Sequence, residues 1–162
     1  MKKPVLLFAL FALCFGLFVG CKAKAPAAYM APIDAYCAAL QNNDFEQLRL
    51  SMPATVLNSD GINPSELDDL RTAFVKDWGS VYTLTAKEKS AKSLSPADIV
   101  TLEDYLYDEY GYRTELTQAY NLEVTLTFRG NVSGTMDVPV VVYYNDRVWY
   151  LDFNASALDF AD

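Results

Sequence analysis

Cys21 is the side chain best placed for covalent chemistry, because it stands directly behind Gly20 at the end of an uncharged apolar run. A cysteine can act as a thiolate nucleophile or carry a substituent on its sulfur. Nucleophilic work needs a neighbouring base or cation to hold the thiolate. The chain has no histidine, and Cys37 has no cationic cluster near it in sequence, so Cys37 reads as a small buried hydrophobe on a helix. The missing histidine also excludes a Ser-His-Asp triad and a conventional zinc site. Carboxylates are plentiful without forming a signature. Glu103, Asp104, Asp108 and Glu109 crowd one helical stretch, which a solvated helix face explains. The "NSDG" segment fails as a calcium loop: with Gly61 at position six, Val56 and Leu67 fall at positions one and twelve. No catalytic residue, metal ligand or cofactor is assigned.

The flanks of Cys21 define its chemistry. Lys2 and Lys3 precede residues 4–20, which carry no charge. At ~1.5 Å per residue that run is at the lower limit for crossing a hydrocarbon core. A basic start, an apolar middle and a small residue at the cut mark a signal peptide. The stretch "LFVGC" resembles the lipobox of bacterial lipoproteins, which are cleaved before a cysteine that is then lipidated, although Phe18 stands where Leu is usual. The resemblance implies a lipoprotein signal peptide over 1–20, lipidation (acyl chains such as palmitate) at Cys21 and a flexible tether over 21–29. An ordinary secretory signal or a retained anchor are the alternatives. At ~0.8 kcal/mol per buried CH₂, several acyl chains make a stable anchor. The expected location is the cell membrane, lipid-anchored on its extracytoplasmic face.

Loss of Lys2 and Lys3 from the 13 basic residues leaves 11 against 21 acidic ones, a formal net charge of −10. Nucleic acid is therefore an improbable partner, since phosphates call for Lys and Arg. Cys37 is left alone, so no internal disulfide is available. Residues 30–162 suit one domain.

The elements that must position any site follow from period and caps. Pro32 opens a helix striped by Ile33, Tyr36, Cys37 and Leu40. Asp44 and Gln47 form a capping-box pattern for a short helix that Pro53 ends. Asn63, Pro64 and Glu66 start a third helix carrying Leu67, Leu70, Phe74 and Trp78, stopped by Gly79. A strand follows from Val81. Ser95, Pro96 and Asp98 open a further helix that Gly111 closes. Leu122, Val124, Leu126 and Phe128 alternate as a strand, then Met136, Val138, Val140 and Val142. Pro139 there implies an edge or bulge. A hairpin turns at Asn145-Asp146, with Trp149, Leu151 and Phe153 on one face and Tyr150 and Asp152 outward. The fold class is α+β: N-terminal helices packed on a curved antiparallel sheet, with an insertion helix near 96–110.

This order, with "YCAALQNNDFEQL", "LEDYLYDEYGYR", "AYNLEVTLTFRG" and "VVVYYNDRVWYLD", resembles the nuclear-transport-factor-2-like (cystatin-like) cone domains of small lipoproteins from Gram-positive gut bacteria. The resemblance implies a bent sheet around a long helix, room for a cavity at the open end, and no catalytic residue; the insertion helix departs from the simplest cone and is expected over that opening. The functional expectation is a non-enzymatic binding or scaffolding domain for a protein, peptide or small apolar ligand, with Tyr107 or Tyr110 at the rim. The alternative is an isomerase- or dehydratase-type enzyme with a pocket carboxylate and a tyrosine. The apolar inward strand positions favour the first. Replacement of Cys21 by Ala is expected to abolish fatty-acid labelling and to release the protein from the membrane fraction. Persistent acylation of the variant would refute the lipoprotein reading.

Overall fold

Helix α1 (Ala31–Asn42) is the element that the rest of the fold encloses. Its stripe of Ile33, Tyr36, Cys37 and Leu40 is buried almost completely. Asn43 ends it in a left-handed conformation, φ 54°, which Asn tolerates better than most residues. The computed structural model describes residues 27–158, apart from the side chains at 77, 78, 81 and 82. The apolar run, Cys21 and the core role expected for the Trp78 side chain lie outside the described residues. The described chain opens with a 3-10 turn, Ala28–Met30. Tyr29, at the end of the expected tether, packs on Tyr120 and Trp149 and donates its hydroxyl to Glu88 at 2.8 Å.

Three short-range signals build the remaining helices. Asp44 caps α2 (Phe45–Leu48) by accepting the N–H groups of Glu46 and Gln47. The return bond of a capping box is not needed, because the Asp44 N–H already donates to Ala39 O at 3.1 Å. Pro53 ends this segment as expected, but it is also the N-cap of a helix the sequence did not disclose, α3 (Ala54–Ser59). Asn63 caps α4 (Pro64–Trp78), which Gly79 ends at φ 77°. After strand β1 (Val81–Ser93), Ser95 and Asp98 form a full capping box for α5 (Pro96–Tyr110), and Gly111 closes it at φ 64°. Only glycine adopts such angles without steric cost.

Strands β2 (Gln118–Gly130), β3 (Gly134–Asn145) and β4 (Val148–Asp152) complete an antiparallel sheet in the order β1-β2-β3-β4. Helix α1 touches both outer strands, β1 and β4, so the sheet curls around it. This is the α+β, cone-like architecture expected. The cross-strand rows Leu122–Val140 and Val124–Val138 face the helix, as do Leu84, Leu126, Phe128 and Leu151. At ~25 cal/mol per Å² of apolar area, this interior is the main stabilising term. Trp149 belongs to the same face but is only half-buried, in an aromatic group with Tyr29, Tyr120 and Tyr144 at the sheet's end.

Helix α5 departs from expectation. It does not cover the end of the cone; it packs on the opposite face of the sheet, with Leu102, Leu106 and Tyr110 against Ala119 and Tyr143. Outward positions of β2 and β3 are apolar there, and the amphipathic helix between β1 and β2 buries its stripe on them.

The edges are managed differently. The N–H of Leu151 in β4 donates to Ser51 O at 2.7 Å. Where β4 stops short of β3, Val141 N–H donates to Ser156 Oγ at 3.0 Å and Ala157 N–H to Pro139 O at 3.1 Å. Pro139 therefore sits where its missing donor faces an edge rather than a strand. On β1, Leu84 N–H donates to Gln41 Oε1 at 2.9 Å, while Lys87, Lys89 and Lys92 and a bulge between Glu88 and Ser90 occupy the rest.

The hairpin turn lies one residue later than expected, at Asp146 and Arg147, with φ of 49° and 69°. Positive φ at both central residues marks a type I′ turn, which favours glycine at its second position. A non-glycine residue in this region costs roughly 1–2 kcal/mol. Arg147→Gly should therefore stabilise the fold by about 1 kcal/mol, read as a higher urea midpoint at unchanged slope. A lower midpoint would refute the turn assignment.

Candidate functional site

The outer sheet face under α5 carries the one depression among those described that has a buried carboxylate in its floor. Register builds that floor: Asn121 of β2, Val141 of β3 and Asp152 of β4 are successive cross-strand partners. Helix α5 supplies the wall, since Asp98, Thr101, Leu102 and Tyr105 recur at helical spacing. Leu94, Asn154 and Ala155 complete an open volume of about 460 Å³.

Asp152 is only 2% exposed. Its Oδ1 accepts the Ala155 N–H at 3.1 Å, and its backbone carbonyl accepts the Ser156 hydroxyl. Its Oδ2 is buried with no partner. Burial pushes the Asp152 carboxyl above its ordinary range, and the charge of Asp60 adds to this against the opposing backbone N–H groups of Ala155 and Asn154. Asp60 is itself pushed up by burial and then by Glu109. The ion pairs of the described residues join Arg49 to Glu46 and Lys89 to Glu123 and Asp137. None brings a cation to these three acids.

Tyrosines surround the carboxylate. Tyr110 accepts from Asn154 Nδ2 at 2.7 Å and lies 3.3 Å from the Tyr105 hydroxyl. Tyr143 is fully buried, and its hydroxyl has no partner. Burial raises the pKa of both phenols; the Tyr105 hydrogen bond adds to it for Tyr110, and nearby Tyr112 and Asp152 add to it for Tyr143. A carboxyl in such surroundings donates a hydrogen bond when protonated and offers an unscreened charge when ionised. It suits a ligand that presents a cation, or a hydroxyl able both to accept and to donate, on an apolar body.

The residues singled out from sequence are scattered. Tyr110 is buried beside this site, whereas Tyr107 is exposed under the Arg113 guanidinium, 4.7 Å from its ring centroid. Asp104, Asp108 and Glu109 are exposed, and Glu103 accepts the Leu116 N–H. Cys37 is buried, with its thiol pushed up to about 12 chiefly by burial. Inside the cone, the crevice among Leu40, Phe74, Val75 and Leu84 measures about 10 Å³, room for one water at most, whereas an open volume of about 660 Å³ lies beside Pro32, Ala35 and Trp149. Asp152 reads as outward in the sequence and is outward, but that side is covered. Among the described residues no group of three or more His, Cys, Asp or Glu is arranged to hold a metal ion, and no helix is long and apolar enough to cross a membrane. No protein-family model, curated protein or solved structure matches the chain.

The raised Asp152 carboxyl fixes the sign of a pH effect. Between the unfolded value, ~3.9, and the higher folded value, the folded state holds a proton that the unfolded state has released. The associated stability is complete below the unfolded value and is lost as pH rises through the folded one. Asp152→Asn should therefore gain stability relative to the parent as pH rises from about 4 towards 8. Asp34, shifted in the same direction by burial, remains in both proteins and cancels, while the Asp60 charge, which raises Asp152, contributes to the difference. A difference independent of pH would mean that Asp152 titrates normally.

Proposed function

We propose that this chain is a lipid-anchored, extracytoplasmic binding domain that holds a small amphipathic ligand between α5 and the sheet. The observation that carries the reading is Asp152, which lines an open, largely apolar depression while its buried Oδ2 has no partner. A buried polar atom without a partner costs ~1–3 kcal/mol, and such costs persist where function uses the group. A ligand ammonium or hydroxyl is drawn to the Asp152 carboxyl in the floor, and Leu94, Leu102 and Val141 take its apolar part. Binding without catalysis is supported by the hydrogen bonding: Asp152 makes no bond to a tyrosine hydroxyl, and Tyr110 is engaged by Asn154 and Tyr105. The lipobox-like "LFVGC" supports the location.

Methyl NMR of the purified protein tests the site, with hexylammonium and 1-hexanol as probes. Hexylammonium should shift the Leu94, Leu102 and Val141 methyls saturably and lower the Asp152 titration midpoint. Asp152→Asn should weaken it by about tenfold. Saturable binding of neither probe, affinities unchanged in Asp152→Asn, or shifts confined to other residues would remove Asp152 from the recognition. Turnover lost in Asp152→Asn would favour the enzyme alternative instead.

A further inference from the structure

A second depression shares no residue with the first. Register sets Gln118 opposite Tyr144, so the connection from α5 to β2 and the β3–β4 turn meet at one end of the sheet. Between them lies an open volume of about 570 Å³. The connection contributes Arg113, Thr114 and Thr117; the hairpin contributes Tyr144, Asn145 and Arg147.

Three independent observations mark it. First, two arginines, Arg113 and Arg147, line it in an acidic protein, and neither takes part in an ion pair of the described residues. Glu115 and Asp146 also line the depression without reaching ion-pair distance of them. The ring of Tyr107 steadies Arg113 from below without neutralising it. Second, Thr114 Oγ1 is buried and has no hydrogen-bond partner. Third, Arg147 occupies a left-handed position that glycine would fill at less cost, φ 69°. Backbone strain of this kind clusters at functional sites.

We propose that this depression binds an oxyanion, carboxylate or phosphate, carried on a polar ring such as a sugar acid or sugar phosphate. Guanidinium groups present paired N–H donors matched to the oxygens of either anion. The Tyr144 ring offers a flat face to the body of the ligand. The site acts independently of the Asp152 depression and of the lipid anchor.

The test is a titration of the full protein at low ionic strength, where screening is least, followed by NMR at the Arg side-chain Nε–H groups and the Thr114 amide. The probes are inorganic phosphate, D-glucuronate and, as the neutral control, D-glucose. At least one anion should give saturable shifts at Arg113 and Arg147, and glucose none. A response to glucuronate alone assigns a carboxylate, and to phosphate alone a phosphate. Arg113→Gln and Arg147→Gly should each weaken binding by about tenfold. Because Arg147→Gly is expected to stabilise the fold, its loss of binding cannot be ascribed to unfolding. The proposal is overturned if neither anion saturates, if glucose matches them, or if Arg147→Gly binds as tightly as the parent.

Discussion

Strands β2 and β3 are pressed from both sides at the end where α5 lies, and only from one side at the other. The inner face is apolar along its whole length because α1 runs beneath it. The outer face changes character along the strand. Near α5 it carries Ala119, Val141 and Tyr143; further on it carries Glu123, Thr125 and Asp137, which join Lys89 in a solvated network. An antiparallel sheet accepts such a division, since one face need not match the other. The boundary between dry and wet sheet passes close to Asn121 and Asp152. A carboxylate at that boundary loses most of its water without gaining a cation, which is why its proton affinity rises. The same helix that buries Asp152 leaves the depression beside it open.

Electrostatics in the rest of the molecule follow the opposite rule. Lys89 meets Glu123 and Asp137 at 2.9 and 2.6 Å on an exposed surface, where water and salt leave such pairs little net weight. These contacts hold Asp137 below the ordinary carboxylate range through its hydrogen bonds to Lys89 and Thr125. The exposed Glu46, Glu123 and Asp137 are thus paired, while the buried Asp152 is not. A distribution arranged for stability alone would reverse that order.

Much of the fold could be read from local chemistry. The Ser95-Pro96-Asp98 and Asn63-Pro64 starts and the Gly79 and Gly111 stops act within one turn of chain, so sequence carries them completely. Period-two alternation identified the inner residues of β2 and β3 for the same reason. Pro53 misled because it both ends one helix and caps the next. Trp149 alternates inward as read, but it lies at the sheet's end, where the core thins into an aromatic edge. The candidate sites were less legible because they depend on distant pairings. Asp152 is outward by parity, and only the packing of α5 turns outward into buried. Ala119, Val141, Tyr143 and Tyr150, apolar at outward positions, held that information. Arg113 and Arg147 become neighbours of one depression only through the β2–β3 register.

At high local concentration, as on a crowded surface, the bare edge of β1 governs whether neighbouring molecules stay apart. β4 and the end of β3 are sealed by the chain itself, but β1 relies on Lys87, Lys89, Lys92 and its bulge. Positive side chains on an unpaired strand repel a second copy of the same strand. The lysine part of that barrier is electrostatic, so it weakens in strong salt. Acetylation of Lys87 and Lys92 would lower that barrier and leave the bulge as the remaining protection of the edge.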